Sequence, residues 1–206
     1  MIDSKCKKCR RAGQKLFLKG ERCFTPKCAM VKKAYPPGVH GKKRKPALSE
    51  YGAQLAEKQK LRRIYNISER QLKKYFQEAA KAKGVVTETL LKKLETRIDN
   101  AVFRLGLAES RMKARQIVSH GHILLNGRRV NIPSINLKRG DIIEIKKNSL
   151  KKSLFKNLET RLKKYKLPSW LSLDKKEMKA TILGLPLKEE IEVPVDLFMV
   201  VEYYSR

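Results

Sequence analysis

The chain has 206 residues, enough for one large domain or two small ones, each with a modest core. Lys and Arg number 49 against 20 Asp and Glu, and the net charge of +29 far exceeds the roughly 2 to 8 charges that solubility requires, which indicates a polyanionic partner. The sequence has no run of 18 apolar residues and no apolar segment typical of a secretory signal, so we expect neither membrane insertion nor export and predict a cytoplasmic protein.

The first 45 residues, here called the basic arm, carry almost half of this charge. They contain 15 Lys and Arg but only two acidic residues, a net charge of +13. Because such a segment repels itself, we expect a bound metal and a nucleic-acid surface to order it. The cations of the arm that we predict to contact RNA are Lys5, Lys7, Lys8, Arg10, Arg11, Lys42, Lys43 and Arg44.

All four cysteines lie in this arm, as Cys6-x2-Cys9-x13-Cys23-x4-Cys28. Two close pairs separated by a loop are typical of a tetrahedral Zn²⁺ site, since a short Cys-x-x-Cys loop can direct both sulfurs at one ion. Four thiolate ligands leave no position for a reactive water, so the predicted zinc, one ion per chain, is structural. An iron–sulfur cluster, two disulfides and four unrelated thiols remain alternatives, although a reducing compartment argues against disulfides.

Residues 49 to 106 are predicted to be helical. Ser49 is a candidate N-cap, and Ser68 with Gln71 forms a capping box at the start of the next helix. A further helix is expected from about Thr87. The apolar stripe of the second helix consists of Leu72, Tyr75, Phe76, Ala79 and Ala80.

Two groups of cations in this helical segment are candidate RNA contacts. Acidic residues are scarce beside the first group, which favours RNA over the alternative of a merely solvated helix face. The first group spans about a turn and a half and the second lies on the outer face of the following helix; together they are Lys58, Arg62, Arg63, Arg70, Lys73 and Lys74.

Residues 97 to 140 predict two short helices followed by a hairpin. Gly106 and Gly121 end the helices, Ser110 starts the second one, and Asn126-Gly127 indicates a type I′ turn. The result is a small α+β module with one basic face. Its candidate RNA contacts are Arg104, Arg111, Lys113, Arg115, Gln116, His120, Asn126 and Arg128, although Asn126 could serve only to form the turn.

The rest of the chain predicts further strands and one helix. A strand is expected at residues 142–145, a helix from Ser149 to Pro168, and two more strands at 170–173 and 179–183, which complete a small antiparallel sheet. Trp170 is expected in the core rather than as a base-stacking platform. The last residues, VPVDLFMVVEYYSR, have strand-like propensity.

The sequence offers little for catalysis. It contains three histidines, all four cysteines are assigned to the metal cluster, and there is no phosphate-binding GxxxxGK[ST], no GxGxxG and no paired-carboxylate signature. We therefore predict that the chain is not an enzyme.

The run RIDNAVFRLGLAESRMKARQIVSHGHILLNGRRVNIPS resembles the RNA-binding domain of the ribosomal protein S four family. YGAQLAEKQKLRRIYNISERQLKKYF and the terminal EYYSR are also similar to bacterial members of this family, so the resemblance covers essentially the whole chain. It implies the zinc-containing variant with four cysteine ligands. It also implies a C-terminal helix that returns to the helical domain.

Membership would make the chain a structural constituent of the small ribosomal subunit, monomeric within the ribosome. The resemblance implies a primary binder of 16S-type rRNA, at a helix junction of the 5′ domain, that nucleates assembly. It further implies a position beside small-subunit proteins three and five, bordering the channel through which mRNA enters. The alternatives are a free-standing regulatory RNA-binding protein and an RNA-modifying enzyme with the same domain, but such enzymes add a large catalytic domain.

We therefore expect an α+β protein of three parts. These are a basic zinc-binding arm with its linker (1–45), an all-helical domain (46–96, completed by 190–206), and a small RNA-binding module of two helices and an antiparallel sheet (97–189).

Overall fold

The computed structural model describes residues 4–43, 46–156, 158–163, 165–175 and 177–206. The chain forms two compact units: Met1–Thr87 with Val193–Arg206, and Glu88–Glu192. Among the described helices, none is both long and apolar enough to span a bilayer.

The first unit is helical in its described part. The chain passes into the second unit within α5 and returns to the first for α10. The elements are α1 (Lys5–Ala12), a 3₁₀ helix (Gly20–Phe24), α2 (Ala29–Lys32), α3 (Glu50–Ile64), α4 (Glu69–Lys81), α5 (Val86–Glu95) and α10 (Leu197–Ser205).

The predicted helix starts in this unit are confirmed. The hydroxyl of Ser49 accepts the backbone N–H of Gly52, and that of Ser68 accepts the N–H of Gln71, each at 3.2 Å. The buried stripe of α4 is also present, except that Ala80 is exposed. Each residue turns a helix by 100°, so the residue after buried Ala79 lies toward the outer face.

The C-terminal segment forms a helix rather than a strand, as the family resemblance implied. Asp196 caps it by accepting the N–H groups of Phe198 and Met199 at 2.9 and 3.3 Å. The helix packs against α3 and α4, with the Tyr204 ring stacked 5.0 Å from that of Phe76. Capping and tertiary packing therefore override the β propensity of its valines and tyrosines.

The second unit combines short helices with an antiparallel sheet of strand order β2-β1-β3-β5-β4. Its described elements after α5 are α6 (Ile98–Arg104), α7 (Arg111–Ser119), β1 (Ile123–Leu125), β2 (Arg128–Val130), β3 (Ile142–Ile145), α8 (Lys147–Leu150), a 3₁₀ helix (Ser153–Phe155), α9 (Leu158–Lys163), β4 (Leu171–Asp174), β5 (Lys179–Ile182) and a 3₁₀ helix (Lys188–Glu190). The expected α+β class, with an all-helical region and an antiparallel sheet, is confirmed.

The hairpin and the core of this unit follow the sequence pattern. Asn126 and Gly127 both have positive φ, +51° and +78°, as a type I′ turn requires. Ile123 of β1 pairs with Val130 of β2 and with Ile145 of β3. Trp170 is buried in the core, as predicted.

The expected single helix from Ser149 to Pro168 is wrong. The described residues of this segment form α8, a 3₁₀ helix and α9 instead. After α8 the backbone leaves α-helical hydrogen bonding: Lys152 and Phe155 donate their N–H groups to the carbonyls three residues earlier, those of Ser149 and Lys152, each at 3.0 Å. The apolar pattern still faces inward, since Leu158 and Leu162 are both in the core.

Candidate nucleic-acid interface

The structure brings cations of the basic arm together with those of α3. Lys8 of α1 lines the same cleft as Arg62 and Arg63, and Arg63 also lies beside Lys7 and Arg11 in an adjacent depression. These five residues, here called the cationic cleft, come from positions more than 50 residues apart in the chain. Arg62 also lies 3.4 Å from Glu69 in this cleft, but five cations outnumber that one carboxylate. Such an excess of like charge is the electrostatic signature of a phosphate-binding surface.

A second group of cations lies along the outer face of α4. Arg70, Lys73 and Lys74 are all exposed, and Lys74 makes only a long contact of 3.9 Å with Glu78. Such exposed ion pairs are weak and screened by salt, so they do not prevent these side chains from contacting phosphates. The helix therefore presents its cations to solvent as the sequence pattern predicted.

Lys58 differs from the other predicted contacts. Its side chain is only 5% exposed, and its ammonium donates to Glu69 at 2.8 Å and lies 4.1 Å from the centre of the Tyr203 ring. Burial alone would raise the pKa of Glu69, but hydrogen bonds from Lys58 and Tyr204 outweigh burial and hold that pKa below 4.5. We therefore assign Lys58 a structural role instead of an RNA contact. The clustering of charged residues in the sequence does not show which of them is buried.

Other cations of the arm have mixed surroundings. Arg10 donates to the backbone carbonyl of Tyr35 at 2.8 Å and stacks over the Tyr35 ring, so it holds the following loop against α1. Lys42 and Lys43 are exposed, whereas Lys5 lines the cavity that the cysteines surround. The predicted contact at Arg44 lies outside the described residues.

Two buried carboxylates organise the arginines of the second unit. Glu95, with 1% of its side chain exposed, accepts two hydrogen bonds from Arg104 at 2.8 and 2.9 Å and lies 3.7 Å from Arg111. Asp99 bonds Arg97 in a bidentate pair and lies 3.8 Å from Arg115. Arg104 and Arg111 therefore mainly stabilise the fold through their contacts with Glu95.

Asn100 completes this network. Its amide donates to the Glu95 carboxylate at 2.7 Å, and its carbonyl accepts from Arg111 at 2.7 Å. Glu95, Asp99 and Asn100 each have hydrogen-bond partners in this network, as a low-dielectric interior requires. The network fixes the direction in which Arg115, 39% exposed, projects from α7.

The remaining predicted contacts of this unit lie on α7 and on the β1–β2 hairpin. Gln116, His120 and Arg128 are exposed, and Lys113 forms a surface pair with Glu109 at 2.9 Å. Asn126 donates to Asp141 and accepts the N–H of Ile142, so both ends of its amide serve the turn.

The neighbouring His122 is buried and bonds to Ser149. Burial, followed by the nearby charge of Lys152, lowers the pKa of His122 below its ordinary 6.5. A neutral, buried imidazole is unsuited to contacting phosphate, so His122 belongs to the fold of the module.

The four cysteines gather around one cavity at α1 and the 3₁₀ helix that follows it. Cys6 and Cys9 lie one turn apart on α1, and the sulfur of Cys23 accepts the backbone N–H of Lys19 at 3.4 Å. None of these four thiols is in a disulfide bond. Within the described part of the chain, no three His, Cys, Asp or Glu side chains stand in metal-binding geometry, so the predicted zinc stays a prediction.

Two protein-family models match successive parts of the chain. Residues 1–95 match the model of the ribosomal protein S4/S9 N-terminal domain, and residues 96–143 match the S4 domain. The small ribosomal subunit protein uS4 of Natranaerobius thermophilus is 50% identical over 201 residues, which are 98% of this chain and 96% of that protein. The chain belongs to the uS4 family of ribosomal proteins. Further family members include uS4 of Thermus thermophilus, 51% identical over 98% of this chain and 96% of that protein, and uS4 of Caldicellulosiruptor bescii, 48% identical over 100% of this chain and 98% of that protein.

Membership of the uS4 family confirms the prediction that the chain is not an enzyme. The uS4 proteins match this chain almost end to end.

Glu69, Glu95, Asp99 and Asn100 organise the interface but were not among the predicted site residues. The run IDNAVF gave a signal, since its Asp and Asn stand directly between apolar residues of α6. Without the fold, however, nothing identifies the arginines that these groups support.

Proposed function

We propose that this chain is a structural constituent of the small ribosomal subunit and works there by binding rRNA. The observation that carries the proposal is the near end-to-end match to uS4 proteins, both in the helical N-terminal domain and in the S4 domain. The chain acts in the small subunit of the cytoplasmic ribosome.

The geometry supports binding by shape and charge. Ammonium and guanidinium groups are partly exposed in the cationic cleft and exposed on the outer face of α4. In the second unit, α7 carries Arg115 and Gln116, and the hairpin carries exposed Arg128. Phosphate contacts fix the position of a protein on RNA, and double-stranded RNA is recognised mainly by its shape and 2′-hydroxyls. Because α3 and α4 are capped by Ser49 and Ser68 and are packed before binding, little conformational entropy is lost on their surfaces.

We further propose the finer role that the family resemblance implies. The chain binds 16S-type rRNA at a helix junction of the 5′ domain and nucleates assembly of the subunit. It borders the channel through which mRNA enters, beside small-subunit proteins three and five, as a monomer within the ribosome. The support for this role is the resemblance together with two separate RNA-facing regions, which could join RNA helices that are distant in sequence.

We also infer that Cys6, Cys9, Cys23 and Cys28 hold one structural Zn²⁺. The support is that none of the four cysteines forms a disulfide, that all four line one cavity, and that soft thiolates are the ligands zinc prefers in structural sites. The bound metal would crosslink α1 to the loop that follows it. An iron–sulfur cluster remains the alternative occupant.

The proposed RNA binding can be tested by titrating full-length protein with small-subunit rRNA at several salt concentrations. Five or more phosphate contacts predict a slope of about −4 or steeper in a plot of log affinity against log salt. Reversing two exposed cations of α4, Arg70→Glu with Lys73→Glu, should flatten the slope by about 1 to 2. The matched control is Lys166→Glu with Lys175→Glu, two exposed cations outside the proposed surface.

For the wild type, a slope of log affinity against log salt near zero would refute the electrostatic interpretation of the interface. Equal losses in the two double variants would show that net charge alone matters and that α4 is not part of the surface.

A further inference from the structure

Two phenylalanine rings are exposed on the basic arm. Phe17 is 44% exposed and Phe24 is 76% exposed, yet the rings stack on each other with centroids 5.0 Å apart and an interplanar angle of 26°. Exposed large apolar side chains that pack on each other, rather than into a core, indicate a surface that a partner covers. Neither ring belongs to the predicted RNA contacts.

The fold holds both rings outward. Leu16 and Leu18 are buried on either side of Phe17, whose φ of +49° is a strained conformation for a bulky residue. Buried Cys23 anchors Phe24 in the same way from the preceding position. Strain of this kind persists only where the surrounding structure enforces it, so the outward position of Phe17 is built into the arm.

The charge around the pair is strongly positive. Residues 14–28 contain Lys15, Lys19, Arg22 and Lys27 but only one acidic residue, Glu21. A basic segment that interleaves cations with aromatic rings is how proteins bind unpaired nucleotides, because the rings stack on bases while the cations neutralise the backbone. A protein partner with a dry apolar pocket would have to bury these cations as well, which is costly.

We propose that Phe17 and Phe24 form a platform on which an unpaired nucleobase of the bound RNA stacks. The base extends the existing stack on the exposed side of Phe24. The site thus recognises a single-stranded or bulged nucleotide, whereas the cationic cleft and α4 contact phosphates. This inference rests on the proposed RNA-binding function and names a kind of RNA element that phosphate contacts alone cannot select.

The test compares Phe17→Leu with Phe24→Leu, combined in one full-length protein, against the wild type in binding to small-subunit rRNA. Leucine keeps the apolar volume but cannot stack, so affinity should fall roughly 5- to 150-fold at fixed salt. The salt slope should stay at the wild-type value, because stacking releases no counterions. The control is Val39→Ala with Leu48→Ala, two exposed aliphatic residues of the same unit, which should change affinity less than about twofold.

A third variant reports stacking directly. Phe24→Trp should retain wild-type affinity, and the emission of the introduced indole should be quenched when rRNA binds. The chain's one native tryptophan, Trp170, is 4% exposed and provides the baseline in wild-type protein.

The outcomes separate this inference from the proposed function. Wild-type affinity in the leucine variant would overturn the platform, and so would unquenched emission from Phe24→Trp at saturating rRNA. Normal rRNA binding with poor incorporation into subunits would assign the rings to a protein neighbour instead. Salt-independent binding by the wild type would remove both the proposed function and the platform.

Discussion

The buried contact between Lys58 and Glu69 predicts an asymmetric response to mutation. Glu69 accepts hydrogen bonds from the Lys58 ammonium at 2.8 Å and from the Tyr204 hydroxyl at 2.7 Å, so it joins α3, α4 and α10. Lys58 is buried, whereas the Glu69 side chain is 40% exposed. Removing the carboxylate therefore leaves a buried positive charge, but removing the lysine leaves a carboxylate that water can reach.

The magnitude follows from these contacts. A hydrogen bond to a charged group contributes about 1.5 to 3 kcal/mol, and solvent at the carboxylate reduces that figure. Glu69→Gln should lower the free energy of unfolding by about 2 to 3 kcal/mol, since the amide retains part of the bonding. Lys58→Met, which keeps the length of the side chain, should cost at least about 1 kcal/mol less because no unpaired charge stays buried.

The assay is urea unfolding followed by circular dichroism, with the midpoint compared at constant m-value. Glu78→Gln, on the same helix but in an exposed pair, is the control and should change stability by less than about 0.5 kcal/mol. Because the folded pKa of Glu69 is depressed, its contribution is complete above 4.5 and is lost as the pH falls through the folded pKa.

The difference between wild type and Glu69→Gln should therefore shrink in acid. Equal costs for Glu69→Gln and Lys58→Met, or a difference that does not change with pH, would refute the argument.

Three further outcomes are expected. Elemental analysis should find about one zinc per chain, four thiolates making one tetrahedral site, and a metal-free preparation with full rRNA affinity would contradict a required cluster. Burial lowers the pKa of His122, so its contribution to the free energy of unfolding should be complete above pH 6.5 and should decline as the pH falls below that value. His122→Gln should reduce this decline. An unchanged dependence of stability on pH in that variant would contradict the assignment. Ser68→Ala should cost about 1 kcal/mol in urea unfolding, through loss of the α4 cap, and a cost near zero would mean that water replaces the hydroxyl.

Local sequence signals predicted the elements that local interactions determine. Ser49, Ser68 and Ser110 each cap a helix as expected, because a short side chain next to a helical run satisfies backbone donors within three residues. The Asn126-Gly127 turn formed for the same reason, since only its own φ angles decide it. The predicted helix from Ser149 to Pro168 failed, because a regular apolar period does not show where the backbone changes from α-helical to 3₁₀ hydrogen bonding.

The sequence predicted which cations could form the candidate site, but not which of them are exposed and which are buried in the fold. Clustered cations indicated an RNA-binding chain, and residues such as Arg70 and Lys73 are exposed as expected. The same pattern could not separate them from Lys58, which is itself buried against Glu69, or from Arg104, which is paired with buried Glu95. Charge is a property of the residue, whereas exposure depends on which distant segments pack against it.

The amino-acid sequence by itself determined the polyanionic partner, the α+β class, the caps, the turn and the clustering of the cysteines. Composition and short-range spacing are enough for each of these. Tertiary structure alone decided that Glu95 and Asp99 hold the arginines of the second unit, and that Phe17 and Phe24 stack in solvent. Those features depend on contacts between residues far apart in the chain, whose energies no local pattern contains.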